Sequence, residues 1–382
     1  MEANRYQKLL DSYTFANGTS LKNRVVMAPM TNFASHEDGT VSDAELAYYA
    51  RRSGGAGMVI TACVYVEEGG KGFPGEFGGD KDELIPSLRR LADTIKGKGA
   101  KAVLQIFHGG RQCPPELLPD RQTVSASAVP AEQQGASGPV PRALEPDEIE
   151  RIIRAFGETT RRAVEAGFDG VEIHGANGYL VQQFFSPHSN RRDDQWGGSL
   201  EKRLAFPLAV LDEVKRAAAE HAKAPFLVGY RFSPEEPETP GITMKETFAL
   251  IDALTERGLD YLHVSLQDFW ALPRRGTDDP RPRIEQIVDR AGGRVPVIGV
   301  GSLYTADEAL KALDSGVDLV ALGRPLLAEP DWVEKVAEGR ADEIATAVDP
   351  DAQERLVIPD YLWGAILNTP GWVPVKSAEV KG

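Results

Sequence analysis

The chain has 382 residues, 42% of them hydrophobic and 26% charged, which is enough apolar material for a large buried core. A formal net charge of -14 at pH 7 makes the surface acidic, so it repels nucleic-acid phosphates and anionic lipids. Because the sequence also has no run of about 20 apolar residues, no signal-peptide pattern and only two cysteines, we expect a cytoplasmic protein that binds neither nucleic acid nor a membrane.

Eight short apolar segments, bounded by glycine, proline or aspartate, predict buried strands. In chain order they are residues 24–30, 57–62, 101–107, 169–173, 225–231, 260–265, 295–300 and 318–322. Apolar runs of this length are typical of parallel strands that are covered on both faces. The sequence therefore predicts a parallel sheet that lies inside the protein.

Amphipathic segments between these strands predict helices at residues 86–98, 146–166, 200–221, 243–257 and 305–315. Three of them end in a glycine just past the last turn, namely Gly167, Gly258 and Gly316. Eight strands that alternate with helices predict an α/β fold, a (β/α)8 TIM barrel formed by residues 1–382 as a single domain. A doubly wound sheet is the competing layout, but its early Gly-x-Gly-x-x-Gly turn is absent.

Two segments do not fit the simple repeat. Residues 109–145, after the third predicted strand, are rich in proline, glycine, serine and alanine and are too long for an ordinary connection. We expect this excursion to lie over the mouth of the barrel. Residues 349–382 contain Tyr361, Trp363 and Trp372 among prolines and glycines, and they predict an irregular C-terminal extension.

The fourth predicted strand runs directly into a loop that carries His174, Asn177 and Tyr179. Histidine and asparagine can both donate hydrogen bonds to one oxygen, and a tyrosine can give up a phenolic proton nearby. Catalytic residues of such barrels lie where the strands end. The loop is therefore predicted to polarise a carbonyl group and to protonate a carbon beside it. A lone histidine in this position is more often structural, and it is the asparagine and the tyrosine that favour a functional site.

The last two predicted strands end in glycine, at Gly301 and Gly323, and the second glycine is followed by Arg324. Loops after strands seven and eight of such barrels commonly bind phosphate through exposed backbone N–H groups. Glycine permits a close approach, and the arginine can add a charge-assisted contact. The alternative is that both glycines only allow tight turns. Barrel enzymes with different chemistries share such a corner, so it predicts a phosphate group but no particular reaction.

Six matches in the same order make the chain resemble the Old Yellow Enzyme family of FMN-dependent ene-reductases. They are residues 21–31, 105–111, 174–179 and 184–201, Arg231, and the glycines Gly301 and Gly323 with Arg324. The likeness covers roughly residues 13–337. It implies bound FMN, NADPH or NADH as the reductant, and an α,β-unsaturated carbonyl compound or a nitroalkene as the small-molecule substrate. No metal site is expected.

The resemblance implies that one set of residues binds FMN. The set comprises Pro29, Thr31, Ala62, Gln105, Arg231, Gly301, Gly323 and Arg324. Thr31 is implied to contact the flavin C4 carbonyl, where some relatives have cysteine, and Ala62 to approach the flavin through its backbone. Gln105 can pair with the amide-like pyrimidine edge of the ring, and Arg231 can stabilise negative charge beside flavin N1. For Arg231, a salt bridge with a glutamate of residues 235–238 is the alternative.

The same resemblance implies that His174 and Asn177 hold the substrate carbonyl and that Tyr179 is the proton donor. Phe33 lies where some relatives have a substrate-contacting tyrosine, so one hydrogen bond to the substrate is expected to be missing. His108 is a secondary candidate beside the flavin. The C-terminal segment lacks the arginine that certain relatives insert into a neighbouring subunit, so we expect a homo-oligomer, if one forms, to have no shared active site.

Three other functions share parts of this pattern. A flavin-independent phosphate-binding TIM-barrel isomerase or lyase would need a catalytic lysine or paired carboxylates at the strand ends. A non-catalytic binding barrel would have lost some of its polar site residues. The dienoyl-CoA reductase group of the same family has an additional domain and an iron–sulfur cluster, for which two cysteines cannot supply the usual four ligands. The motifs therefore favour the ene-reductase.

Overall fold

The computed structural model describes residues 4–133 and 135–377. Eight parallel strands of the central sheet close the barrel: β1 (Val25–Met27), β2 (Met58–Ile60), β3 (Lys101–Phe107), β4 (Gly170–Gly175), β5 (Leu227–Phe232), β6 (Tyr261–Val264), β7 (Val297–Val300) and β8 (Leu319–Leu322). A short ninth strand, Val64–Tyr65, pairs with the end of β3. The sheet is closed, because β4 pairs with both β3 and β5, and the ladder continues through β8 back to β1. The predicted (β/α)8 barrel is therefore confirmed, with each strand at its predicted place.

Helices surround this barrel and follow its strands in turn. They are α1 (Asp43–Arg52), α2 (Ile85–Lys96), α3 (Pro146–Ala166), α4 (Leu200–His221), α5 (Met244–Glu256), α6 (Arg283–Ala291), α7 (Ala306–Asp314) and α8 (Trp332–Ala337). The predicted bounds of α3 and α4 are confirmed, and those of α2, α5 and α7 are displaced by one or two residues. The sequence patterns do not predict α1, α6 or α8. Within the described ranges, no helix combines the length and the apolar character that a membrane span needs.

The ends of the long helices follow local sequence signals. α3, α5 and α7 begin with capping boxes, in which the residue before the helix and a glutamate three residues later satisfy each other's backbone N–H groups. The predicted glycine ends are also confirmed, because Gly167, Gly258 and Gly316 have φ angles of +93°, +73° and +109°. Glycine adopts this left-handed backbone without a steric cost. Because these signals are local, the bounds of the helices could be predicted closely.

Apolar side chains fill the amino-terminal part of the barrel interior and the space between the barrel and its helices. Inside the barrel, one apolar cluster extends from strand to strand around the ring of Tyr261. A hairpin of Tyr13–Thr14 and Ser20–Leu21 covers the amino-terminal end, where the Phe15 ring lies 6.1 Å from the Tyr261 ring. A ligand site is therefore left at the opposite end, where the strands have their carboxyl ends.

The described residues of the excursion, 109–133 and 135–145, form short turns and small strand pairs. The pairs are Val124–Ser125 with Arg142–Ala143, and Glu132–Gln133 with Ala136–Ser137. The excursion begins at the barrel mouth, as expected, because Gln112 Nε2 donates a hydrogen bond to the carbonyl oxygen of Asn177 at 2.9 Å.

The C-terminal segment is more regular than the sequence predicts. Instead of a wholly irregular extension, it contains the short helices Gln353–Leu356 and Asp360–Asn368. The second helix buries Leu362 and Ile366 in the main apolar core, which gives it a fixed place on the barrel. Residues 378–382 of the predicted extension lie outside the described residues.

We expect Gly229→Ala to destabilise the protein. Gly229 of β5 lies beside Tyr261 of β6, and an added Cβ atom would overlap the Tyr261 ring, which is fully buried and has no room to move. Overpacking of a core typically costs about 1–3 kcal/mol. Chemical denaturation of the variant and the wild type measures the loss of free energy of unfolding.

Gly364→Ala is the matched control for this substitution. Gly364 lies in the helix Asp360–Asn368, and an added Cβ atom would have no neighbour within 4 Å. Alanine should there be neutral or stabilising by up to about 1 kcal/mol, because of its higher helix propensity. Equal stability of G229A and the wild type would contradict the tight contact between β5 and β6.

Candidate active site

Two adjoining cavities open at the carboxyl ends of the barrel strands. The larger has a volume of about 540 Å³ and the smaller of about 130 Å³. Their walls share Pro29, Met30, Asn177 and Arg231, so they form one continuous site. Most of the residues that the sequence predicts for the site line one or both cavities: Pro29, Thr31, Gln105, His174, Asn177, Tyr179, Arg231, Gly301, Gly323 and Arg324.

His174 lies near the carboxyl end of β4, and its side chain is buried. Nδ1 of the ring has no hydrogen-bond partner among the described residues. Burial, and then the charge of Arg231, lowers the pKa of His174 well below the ordinary value for histidine. The imidazole is therefore neutral at physiological pH and carries one N–H group that can donate a hydrogen bond.

Hydrogen bonds hold Asn177 in place through its side-chain oxygen, its side-chain nitrogen and its backbone N–H group. Its φ angle is +58°, in the left-handed region that asparagine tolerates better than most residues. The side-chain Oδ1 accepts from Arg231 Nη1 at 2.9 Å, and Nδ2 donates to Ser265 Oγ at 3.0 Å. The backbone N–H donates to Ser233 Oγ at 2.9 Å. One hydrogen of the amide NH2 group is left for a ligand.

Tyr179 directly precedes the short helix Leu180–Phe185. Its ring makes T-shaped contacts with the rings of His174 and Phe107, at centroid distances of 5.0 and 5.1 Å. Burial raises the pKa of the Tyr179 phenol well above its ordinary value. The phenol therefore keeps its proton over the physiological pH range and can act as an acid.

Arg231 lies near the carboxyl end of β5 and brings a cation to both cavities. The alternative of a salt bridge with a following glutamate is wrong for the described residues, because Glu235 pairs with Arg283 at 2.7 Å and Glu236 accepts hydrogen bonds from other side chains. Nη1 of Arg231 donates to Asn177, but its buried Nε has no partner in the described part of the chain. A buried donor without a partner is costly, so this arginine suits a ligand that accepts hydrogen bonds.

A polar cluster that the sequence analysis does not identify lies in the barrel interior below the site. Glu172 accepts hydrogen bonds from Gln105 Nε2 at 2.9 Å, Tyr261 Oη at 2.9 Å and His263 Nδ1 at 3.0 Å. All four side chains are buried. The signal that could have revealed the cluster is a glutamate within an apolar strand, since a buried carboxylate needs partners.

The larger cavity has a cationic corner at the ends of β7 and β8, called the anion corner because Arg324 lies there. The guanidinium of Arg324 donates to Ser302 Oγ at 2.6 Å and to the carbonyl oxygen of Trp372 at 3.1 Å. Gly301 has a φ angle of +146°, and an added Cβ atom there would overlap the backbone of Phe269. Both the conformation and the space at this position therefore require glycine. The corner offers an anion a fixed cation and a backbone that it can approach closely.

Ala62 and Phe33 are the predicted site residues that the structure does not place in either cavity wall. The N–H group of Ala62 donates to Tyr49 Oη at 2.8 Å, so it is not free for a ligand. Phe33 packs against the rings of Tyr361 and Phe73, at centroid distances of 4.6 and 6.0 Å. Of these neighbours, Phe73 lines the smaller cavity. Phe33 therefore packs behind a residue of the cavity wall and is not part of the wall itself.

Met30, Cys63 and Phe73 line the smaller cavity without having been predicted. Met30 ends the first predicted strand and Cys63 directly follows the second, whereas Phe73 comes from a loop whose course the sequence patterns do not show. Burial raises the pKa of the Cys63 thiol well above its ordinary value, so the group is a neutral thiol. The secondary candidate His108 lies outside both walls, where its Nε2 forms a hydrogen bond with Glu67 Oε1 at 3.0 Å. The smaller cavity is therefore lined by apolar side chains as well as by the hydrogen-bond donors described above.

A closed parallel barrel with a cationic corner beside a cavity of hydrogen-bond donors is the arrangement that phosphate-binding TIM-barrel enzymes commonly have. A sequence model of the NADH:flavin oxidoreductase / NADH oxidase family matches residues 8–343. The chain therefore belongs to this family, which is the Old Yellow Enzyme family that its motifs resemble.

Individual relatives agree with this assignment. The chain is 54% identical to a probable NADH-dependent flavin oxidoreductase of Bacillus subtilis, over 97% of this chain and 99% of that protein. It is 46% identical to the NADH:fumarate oxidoreductase of Klebsiella pneumoniae, over 94% of this chain but only 38% of that protein. The solved structure of morphinone reductase in complex with tetrahydroNAD has a TM-score of 0.74 at 31% identity, covering 87% of this chain and 91% of that one. The protein is therefore an oxidoreductase that uses FMN, with NADH or NADPH as the reductant.

The residues present suit FMN, which carries a phosphate at one end and a ring with carbonyl oxygens at the other. At one end of the continuous site, Arg324 and the close backbone at Gly301 suit the phosphate. At the other end, the unsatisfied Nε of Arg231 and the amide of Gln105 suit the polar edge of the ring. Substitutions can test each of these contacts.

Arg324→Leu is expected to weaken the binding of FMN but not the binding of riboflavin, which lacks the phosphate. The lost hydrogen bonds to a charged group are worth roughly 1.5–3 kcal/mol, or about one to two orders of magnitude in Kd. Titration of the apoprotein with each flavin, followed by fluorescence quenching, measures both constants. Arg340→Leu is the control, because this arginine lies in neither cavity wall. Equal weakening for both flavins would show that Arg324 does not contact the phosphate.

Proposed function

We propose that the protein is an ene-reductase, which reduces the C=C bond of an α,β-unsaturated carbonyl compound or a nitroalkene. The observation that supports this most is the composition of the smaller cavity. Neutral His174, the amide of Asn177 and the protonated phenol of Tyr179 line it, next to the groups that suit the flavin ring. A substrate in this cavity meets two donors and one acid, which is the set that reduction of a polarised alkene requires.

When bound and reduced by NADH or NADPH, FMN would supply the hydride that the β-carbon of the alkene accepts. His174 and Asn177 donate hydrogen bonds to the carbonyl or nitro oxygen, which gains negative charge as the hydride arrives. Asn177 is oriented for this task, because Arg231 holds its Oδ1 and Ser265 takes only one of its two amide hydrogens. Donors that are already in place stabilise the developing charge without further reorganisation.

Tyr179 then gives its proton to the α-carbon. Its ring is held between His174, Phe107 and Phe73, the last at a centroid distance of 6.1 Å. Burial keeps the phenol protonated until a basic carbon forms beside it, and the charge of Arg231 partly offsets the cost of the phenolate that remains. The two halves of the reduction thus use different side chains of the same loop.

The other functions are less suited to the chain. Membership of an oxidoreductase family contradicts both the flavin-independent isomerase or lyase and the non-catalytic barrel. Glu235, a carboxylate in the wall of the larger cavity, is paired with Arg283 and is therefore not free for acid–base work. The substrate of the fumarate oxidoreductase is not carried over, because the chain spans only 38% of that protein.

We expect the double substitution His174→Ala and Asn177→Ala to slow the reduction of the alkene far more than the reduction of FMN by NAD(P)H. Loss of one preorganised donor typically costs a factor of about 100–1000 in rate. Stopped-flow absorbance follows the two half-reactions separately, with 2-cyclohexenone as the alkene.

The matched control is His221→Ala with Asn368→Ala, because this histidine and this asparagine lie in neither cavity wall. Both half-reactions of the control should keep the rates of the wild type. If the variant of His174 and Asn177 loses the same factor in both half-reactions, these residues do not act on the alkene.

Tyr179→Phe is expected to slow alkene reduction at unchanged FMN content, because it removes the proton but keeps the ring. Tyr13→Phe is the control, since Tyr13 lies in the hairpin at the opposite end of the barrel. An unaltered rate in Y179F would show that water or another group is the donor.

The pH profile tests the same role in the wild type. Because burial raises the pKa of Tyr179, its proton is lost only above the ordinary value of about 10. The rate of alkene reduction should therefore not fall to half by about pH 10, where an ordinary phenol is half ionised. A twofold fall by about pH 10 that is absent from Y179F would mean that the phenol ionises normally and is not buried.

A further inference from the structure

The cluster of Glu172 with Gln105, Tyr261 and His263 takes no part in the reaction steps above, although it lies in the centre of the barrel. Strand pairing produces it, because Glu172 lies opposite Gln105 on β3 and opposite Gly229 on β5. Since Gly229 has no side chain, the Tyr261 ring occupies the space beside it and its hydroxyl reaches Glu172. Four neighbouring strands thus contribute to one buried carboxylate.

The cluster determines which way the amide of Gln105 faces. Burial alone would raise the pKa of Glu172, but the charge and the hydrogen bond of His263, together with Arg231 and Gln105, outweigh it, and the pKa lies below the ordinary value. Glu172 is therefore an ionised carboxylate, which only accepts hydrogen bonds. The amide nitrogen of Gln105 must face it, so the amide carbonyl is turned toward the smaller cavity, whose wall Gln105 helps to form.

Glu172 also supplies a buried negative charge close to Arg231. Burial lowers the pKa of Arg231, and among the neighbouring groups Glu172 opposes this most. The carboxylate of Glu235 is already neutralised by Arg283 at 2.7 Å. Loss of the charge on Glu172 would therefore leave Arg231 uncompensated at the wall that both cavities share.

We propose that Glu172 is a positioning residue for FMN, which turns the Gln105 carbonyl toward the flavin N3–H and balances the charge of Arg231. The proposal rests on the FMN contacts proposed for Gln105 and Arg231, but not on the reduction of an alkene. An acceptor beside a donor complements the pyrimidine edge of FMN, where N3–H adjoins carbonyl oxygens. The balanced charge keeps the anionic reduced cofactor from being bound too tightly, so it remains a hydride donor.

Glu172→Gln tests this proposal, because it removes the charge and keeps the shape. We expect the Kd of oxidised FMN, measured by equilibrium dialysis of the holoenzyme, to be roughly tenfold higher in this variant than in the wild type. We also expect the ratio of Kd for oxidised to Kd for reduced FMN to rise by about tenfold, which is a midpoint potential about 30 mV more positive for a two-electron couple. Dye-coupled redox titration of the holoenzyme measures this shift.

Tyr261→Phe is the matched control, because it removes one donor to Glu172 but leaves the charge and the Gln105 hydrogen bond intact. Its FMN affinity and its midpoint potential should be those of the wild type, whatever its melting temperature. The proposal is overturned if E172Q and Y261F change both properties alike, or if E172Q lowers only the melting temperature.

Gln105→Leu gives an independent test if E172Q does not fold. It removes the amide but keeps the charge of Glu172, so FMN should bind roughly tenfold more weakly at an unchanged potential. Unchanged FMN affinity in Q105L would refute the positioning role. Both measurements concern FMN alone, so a wild-type protein that binds FMN but fails to reduce alkenes would defeat the ene-reductase proposal and leave this one standing.

Discussion

The strand Gly170–Gly175 is hydrogen-bonded to a strand on each side, and these two ladders turn an open sheet into a ring. In a ring of parallel strands all carboxyl ends meet at one rim, so Thr31, His174 and Arg324 reach one continuous site although they are far apart in sequence. The ring also excludes water from its interior. Glu172 is tolerated there because hydrogen-bond donors surround its carboxylate, and such fixed dipoles need not reorganise when a ligand binds.

The parts of the fold that could be predicted are those with local signals. The strand Lys101–Phe107 is a mostly apolar run, and the helix Pro146–Ala166 has both a helical apolar period and a capping box, so the bounds of both agree with the prediction. The helix Asp43–Arg52 was missed, because its buried face includes Glu45 and Arg52. A hydrophobic pattern assigns such residues to the surface, and only the tertiary partners of the helix explain their burial.

The site residues also divide into those with a local sequence signal and those that depend on tertiary contacts. The loop of residues 174–179 could be predicted, because its polar residues directly follow a recognisable strand. The partners of Glu172 could not, because Tyr261 and His263 lie 89 and 91 residues further along the chain and meet it only after the barrel has closed. Phe73 belongs to a connection without periodicity, so nothing in its neighbourhood indicates that it faces the smaller cavity. Sequence patterns thus identify the reactive residues that line the site better than the buried residues that hold them in position.

The hydrogen bond from Arg324 to the carbonyl oxygen of Trp372 joins the anion corner to the C-terminal segment. A chain emerges from the ribosome in order and folds as it does so, which means that the barrel strands are available well before residue 372 has been made. The corner has all of its partners only after that point. The growing chain therefore passes through a stage in which the barrel strands are present while Arg324 still lacks one of the acceptors that hold its guanidinium.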